Sequence, residues 1–425
     1  MKNIKIKTRI IFSFIFLLAY KLILDFVYIK FVHEYYNYMG FSLNFNIKKY
    51  LVSFMWFFVI FAILPKDINK PSSVFLQLHF IIMIMPMFTT YALANESGIF
   101  LALCCIFFIM ECLILRFMPS IKIIKIKNSQ CILYGIIICI TAFVYISMIR
   151  ANGLPSLEAL NLNKVYQVRA STKYPFLMGY LVPWQAKIIN PFLITTSYIN
   201  KNRKTLLGSV FLQLILYLIT AQKSFLFIPL AIIIILKIVE KNDFLKLGSL
   251  LATFGSLGSF LTYIITGNIM IPSLIIRRLL FLPSQIKFYY YDFFSRNEFL
   301  YFSEGVIGKI LGLTSPYNIK TAYMMGLFYF DKVEMSANTG YLADAYANMG
   351  IFGMFSISIL FSMILILIDS LGKNIKNKLI IGLSLFSILS LNDGALLTTL
   401  LTGGLLLLLI ILYLYSNTKQ ESNRD

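Results

Sequence analysis

Charge is what this chain has least of. Only 13% of its 425 residues are charged and mean hydropathy is +0.80, whereas a soluble domain carries roughly 25% charged residues. That excludes an ordinary soluble fold. Histidine is scarce too: His33 and His79 are the two in the chain, and His79, inside an apolar run, reads as a satisfied core residue. The five cysteines (Cys104, Cys105, Cys112, Cys131, Cys139) lie in or beside apolar runs, with neither metal-ligand nor disulfide spacing. Core packing accounts for them. No phosphate-binding Walker loop, aspartate-rich cluster or nucleophile elbow is present, so no cofactor and no metal are expected. The first apolar run, from Ile10 to about Tyr28, is too long for a signal h-region and lacks a small-residue cleavage site. It is expected to be a first spanning helix.

What is present is apolar length. A hydrocarbon core of about 30 Å takes around 20 apolar residues per helix, and irregular backbone survives there only when buried or lining a cavity. The expected fold is an all-α polytopic bundle, one membrane domain over residues 1–425. Twelve spans are expected, at 10–29, 50–65, 74–94, 99–117, 130–149, 177–199, 206–221, 224–239, 245–270, 341–368, 377–391 and 396–415. The net charge of +20 invites a nucleic-acid reading, but the cations sit in short connections, as the positive-inside rule requires. With the terminal run Lys2, Lys5, Lys7 and Arg9 inside, the other inner connections hold Lys66 and Lys70; Arg116, Lys122, Lys125 and Lys127; Lys201, Arg203 and Lys204; Lys237, Lys241 and Lys246; and Lys373, Lys376 and Lys378. Both termini are therefore expected in the cytoplasm. No nucleic-acid partner is expected.

Two stretches, 150–187 and 271–338, are too long and too polar for ordinary connections, and both fall on the outer face. They are expected to lie along the interface, partly helical and packed on the bundle. The first holds Val165-Tyr-Gln-Val-Arg169, then Gly179-Tyr-Leu-Val-Pro-Trp184 and Lys187. Arginine offers a fixed charge and a planar fork of donors matched to phosphate oxygens, though Arg169 could equally meet lipid head groups, and Lys187 could snorkel. The second holds Arg277 and Arg278, then Tyr289-Tyr290-Tyr291-Asp292-Phe-Phe-Ser295. Rings beside a carboxylate suit sugars; an interfacial aromatic belt is the plainer account. Past it come Asn338-Thr-Gly340 and Asp344-Ala-Tyr-Ala-Asn348-Met-Gly350, with Asp344 and Asn348 on one helical face. Thr220-Ala-Gln-Lys223-Ser224 marks another outer junction. Within the apolar runs, Lys21 and Asp25 can pair at i,i+4, whereas Glu111 has no partner in its own helix.

In this order and placement, the motifs resemble the Wzy-type oligosaccharide repeat-unit polymerases of O-antigen and capsule synthesis, over roughly residues 160–370. The resemblance implies a fold similar to the multi-helix membrane glycosyltransferases of the GT-C type. It implies transfer of a growing glycan from undecaprenyl diphosphate onto a new lipid-linked repeat unit, on the outer face of a bacterial inner membrane. Its external-loop arginines correspond to Arg169 and to Arg277 or Arg278. Lys187, Lys223, Tyr290, Tyr291, Asn338 and Asn348 are further candidates for binding substrate. Cations would stabilise the departing diphosphate; Asp292 and Asp344 are candidates for a general base. Ala221 stands where the resemblance expects glycine. Membrane lipids, a flippase and a chain-length regulator are the implied partners. The competing readings are a lipid-linked oligosaccharide flippase, which would carry its charge within the helical cavity, and the related O-antigen ligase, which would want a histidine in the large outer segment.

Overall fold

A computed structural model describes residues 2–421 apart from 68, 125, 127, 162 and 163, and without the side chains of 2–7, 166 and 418–421. Lys125 and Lys127, and the side chains of Lys2, Lys5, Lys7 and Tyr166, thus lie outside the described residues. Among those described the chain is all-helical, with no strand.

The helices are α1 (Lys2–Val27, continued by a π-turn and a last short turn to Met39), α2 (Ile47–Ile63), α3 (71–93), α4 (Gly98–Phe117) and α5 (Ser129–Asn152). Then follow α6 (Val165–Ser171), α7 (178–199), α8 (Arg203–Thr220), α9 (Lys223–Glu240), α10 (Phe244–Thr266) and α11 (270–294). Short α12 (Val306–Leu311) and α13 (Thr321–Phe330) precede α14 (Tyr341–Leu371), α15 (Asn377–Leu389), α16 (Leu396–Leu401) and α17 (Leu405–Glu421). Polar residues mark several starts: Asn46, Ser97 and Asn202 each accept a backbone N–H from the first turn that follows.

Among the described residues seven helices are long and apolar enough to cross a membrane: Thr8–Met39, Pro71–Leu93, Gly98–Phe117, Ser129–Asn152, Arg203–Thr220, Phe244–Thr266 and Tyr341–Asn374. Pro71–Leu93 is the hub, with 94% of its most apolar stretch buried. Helices also occupy the other five expected positions, for which length and composition alone are not enough. α2 has 17 residues, α9 carries Lys223, Lys237 and Glu240, and α7 bends through a π-turn at Gln185–Ile189. Residues 377–392 form a shorter apolar helix. The expected span 396–415 is broken by a turn at 402–404.

The stretch 271–338 starts as a helix packed on the bundle, as expected: α11 runs on to Phe294, its first turns keep Ile271 and Leu279 exposed, and its Pro283–Phe288 stretch is buried between α14 and α3. α14 is not one straight helix. Met349 and Gly350 leave helical geometry, Gly350 with φ +58°, a left-handed conformation that glycine adopts at little cost. The carbonyls freed by this kink are used: Leu300 and Tyr301 donate their N–H groups to Ala347 and Asn348 at 2.9 and 3.0 Å.

The ionisable groups inside the bundle are partnered. Lys21 donates to Asp25 at 2.5 Å, and Thr89 and Tyr50 donate to the same carboxylate at 2.6 and 3.1 Å. Glu111 finds its partner on another helix, since Tyr341 Oη lies 2.9 Å from both carboxylate oxygens. His79 bonds through Nε2 to the Ile388 carbonyl at 3.0 Å and stacks on Tyr341 and Phe361, as a core histidine does. Breaking a buried pair strands a charge, which costs about 3 kcal/mol or more. Lys21→Met and Asp25→Asn should each lower thermal stability in detergent by about that much, while the double variant should return to within ~1 kcal/mol of the parent. A double variant as unstable as the sum of the single ones would show that the pair is not the unit of stability.

Candidate functional site

The π-turn Ser273–Phe281 in α11 separates two adjacent arginines. Arg277 turns inward: its guanidinium lies 4.5 Å from the Tyr36 ring centroid and Nε donates to Ser273 Oγ at 3.0 Å. Arg278 is exposed and makes no hydrogen bond or ion pair among the described residues. Its field acts instead on Asp393. Of the two, Arg278 is the free one.

Two turns further on, α11 buries Lys287 at 1% exposure. Nζ donates to Asn392 O at 2.7 Å, Asn392 Oδ1 at 2.9 Å and Pro283 O at 3.2 Å. Asn392 in turn donates to the Leu279 carbonyl at 3.3 Å. The short connection 390–395 is thereby pinned to α11. From the other side, Lys187 on the π-turn of α7 donates to Ser390 Oγ at 3.0 Å. Trp184, one turn earlier, donates to Leu401 O at 2.6 Å and fixes α7 against the end of α16.

Asp393 is where these elements meet. It is itself exposed to solvent, at the open side of the recess formed by Lys187, Lys287 and the connection they hold. Its carboxyl is held above the usual range by lost hydration, which outweighs Lys187, Lys287 and Arg278 acting on it. α11 lies outside the seven apolar spans, and burial there pushes the Lys287 ammonium down to about 7, against the pull of Asp393. Three cationic side chains against one carboxylate leave the site net positive. The backbone at Gly340 closes one wall: a β-carbon there would fall 2.6 Å from Asn392 O and 2.7 Å from Lys287 Cε. Beside it, the buried hydroxyl of Thr339 has no hydrogen-bond partner. Chemically, the recess suits an anion with more than one negative oxygen.

The remaining candidates fall into separate groups. Asp292 accepts from Tyr329 at 2.7 Å and pairs with Arg296 at 2.9 Å. Tyr289 stacks on Tyr329 at 4.3 Å, and nearby Glu96 is raised to about 7 by burial and then by Asp292, against Lys49. Asp344, half-buried, accepts from Asn348 and feels Glu304. Asn348 itself works as a joint: its Oδ1 accepts the Phe302 N–H at 2.9 Å, docking the outer segment onto the kink of α14. Tyr290 is buried with its hydroxyl on Ala337 O, and Tyr291 stacks on Phe100, so both rings are used in packing. Asn338 is exposed and accepts weakly from Ser336. Arg169 stands exposed on α6, which packs on the turn at 157–160, and makes no hydrogen bond or ion pair among the described residues. Lys223 opens α9 just past Ala221, whose φ of +50° puts it in the left-handed region. Glycine adopts that conformation at lower cost than alanine does.

Of the residues picked from sequence, the recess gathers Lys187 and Arg278. Lys287, Asn392 and Asp393 were missed. The available signals were a lysine in a largely apolar and aromatic stretch and the polar turn Asn392-Asp393-Gly394 between two apolar helices. No protein-family model, no curated protein and no solved structure matches this chain.

Proposed function

We propose that this protein is a membrane glycosyltransferase of the Wzy polymerase kind, joining lipid-diphosphate-linked oligosaccharide units on the outer face of a bacterial inner membrane. The reading takes the chain across the membrane twelve times in a GT-C-like bundle, both termini in the cytoplasm. The observation that carries it is that Lys187 and Lys287 both bind the 390–395 connection that holds Asp393, with exposed Arg278 on the same helix as Lys287 and close enough for its charge to act on that carboxylate. The net charge of the recess complements the two negative charges of a diphosphate diester, and a bound dianion would keep Lys287 protonated.

In the proposed reaction a hydroxyl oxygen of the acceptor sugar attacks the anomeric carbon of the donor glycan. The bond from that carbon to the diphosphate oxygen breaks, and polyprenyl diphosphate leaves with the electron pair. Arg278, Lys187 and Lys287 stabilise the charge growing on the leaving oxygens. The hydroxyl proton passes to a carboxylate within reach of the recess; Asp393 stands in it, and Asp344 and Asp292, the acids expected from sequence, could act only if the acceptor sugar extends to their separate groups. A polymerase must hold two lipid-linked substrates at once, and the reading assigns exposed Arg169 to the second.

Cells lacking the protein are expected to display only single-repeat glycan, with the long-chain ladder restored by the wild-type gene. Purified protein given lipid-diphosphate-linked repeat units should produce that ladder by itself. A ladder unaffected by deletion would reject the reading. So would a purified protein that moves single units across vesicles without lengthening them, which is flippase behaviour.

A further inference from the structure

The opposite end of the bundle holds a cavity that the proposed reaction leaves unused. It measures about 410 Å3 and lies where α4 ends, α3 starts and α14 ends. In its lining Asn69, Lys70 and Lys373 are exposed, Leu115 and Ile366 are buried, and Met118 adds an exposed apolar side chain. Beside it stand half-buried Lys66, whose ammonium is held below its usual range by burial and then by Arg116, and Arg116 itself. Among the described residues none of these four cations forms an ion pair. The one acid lining the cavity is already engaged: Asp369 accepts the Ser72 N–H at 2.9 Å and the Ser72 hydroxyl at 2.5 Å, capping α3. The remaining nearby acid, Asp67, accepts the Asn69 N–H at 2.9 Å.

Four cations against Asp369 and Asp67 leave this end net positive, and the apolar side chains of Leu115, Met118 and Ile366 lie in the same lining, so a ligand both negative and partly apolar matches it. We propose that this cavity binds an anionic glycerophospholipid, its phosphate between Lys70 and Lys373 and its glycerol and first acyl carbons against Leu115, Met118 and Ile366. Free phosphate would satisfy the lysines but leave those apolar side chains open to water. The location favours the lipid as well. The cavity sits at the ends of three membrane-crossing helices, at the level where head groups lie, and basic pockets there attract acidic lipids. The site stands apart from the proposed reaction and holds whatever the outer face does.

The test uses the full-length protein in detergent, with phosphatidylglycerol, phosphatidylcholine and inorganic phosphate as probes, and bound lipid counted by native mass spectrometry. Phosphatidylglycerol should bind about ten-fold or more tighter than phosphatidylcholine, and inorganic phosphate should not displace it. Lys70→Gln/Lys373→Gln should weaken it by about ten-fold or more, the change that two lysines beside a phosphate produce. Lys201→Gln/Lys204→Gln, which removes equal charge from the connection between α7 and α8, should leave binding unchanged. Equal retention of the two lipids would overturn the proposal, as would displacement by inorganic phosphate or equal loss in both double variants.

Discussion

Arg278→Ala is expected to slow glycan extension by roughly 100-fold or more, the usual effect of removing one charged donor from a developing oxyanion, while expression and thermal stability stay at parent values. The side chain is exposed and holds no intramolecular hydrogen bond, so its loss should cost under about 0.5 kcal/mol of stability. Arg277→Ala should behave in the opposite way. It gives up the contact with Tyr36 and the bond to Ser273, together worth about 1 kcal/mol, with a smaller effect on extension. Glycan ladder length, extension rate and melting temperature, measured on both variants, separate the two roles. An Arg278→Ala protein that extends chains at the parent rate would remove the recess from the reaction.

Gly340→Ala is expected to damage stability and activity together. The added carbon would meet two backbone oxygens, Asn392 O at 2.6 Å and Leu391 O at 3.0 Å, as well as Lys287 Cε at 2.7 Å. Backbone atoms cannot step aside as a side-chain tip can. Either the 390–395 connection moves off α11 or the start of α14 does. Both separate Lys287 from Asn392 and reshape the recess. Overpacking of this kind costs about 3 kcal/mol, visible as a lower melting temperature, with extension falling in parallel. At the surface glycine Gly179, a β-carbon would have nothing within 4 Å, so Gly179→Ala is the control that should keep both. A Gly340→Ala protein as stable and active as its parent would mean that the close approach does not govern the site.

Much of the helical layout was legible in the chain, because apolar length is a one-dimensional property. Runs such as 98–117 and 129–152 must be helices if they enter lipid, where each backbone polar group needs an internal partner. The Lys21–Asp25 pair was readable for the same reason, since i,i+4 contacts follow from helix geometry alone. Composition was less informative for α11. Its arginines, proline and row of tyrosines resemble an interfacial belt, and only packing against α14 and α3 makes it a buried helix. The motif at Asp344, Asn348 and Gly350 was visible as a pattern, but its work as a kinked joint that docks residues 300–302 was not.

The sequence by itself determined that this is a helical membrane protein, the positions of its apolar helices and the sorting of basic residues among their connections. These depend on how each segment partitions between water and hydrocarbon, and a segment does that largely on its own. The tertiary structure decided which polar groups meet. Arg277 and Arg278 are equivalent in the chain, and they differ only because Tyr36, 241 positions before Arg277, takes one of them. Lys187, Lys287 and Asp393 lie far apart in sequence and converge through the packing of α7, α11 and the 390–395 connection. Charge interactions depend on distance in space, and in a bundle this long that distance is set by contacts no local pattern encodes.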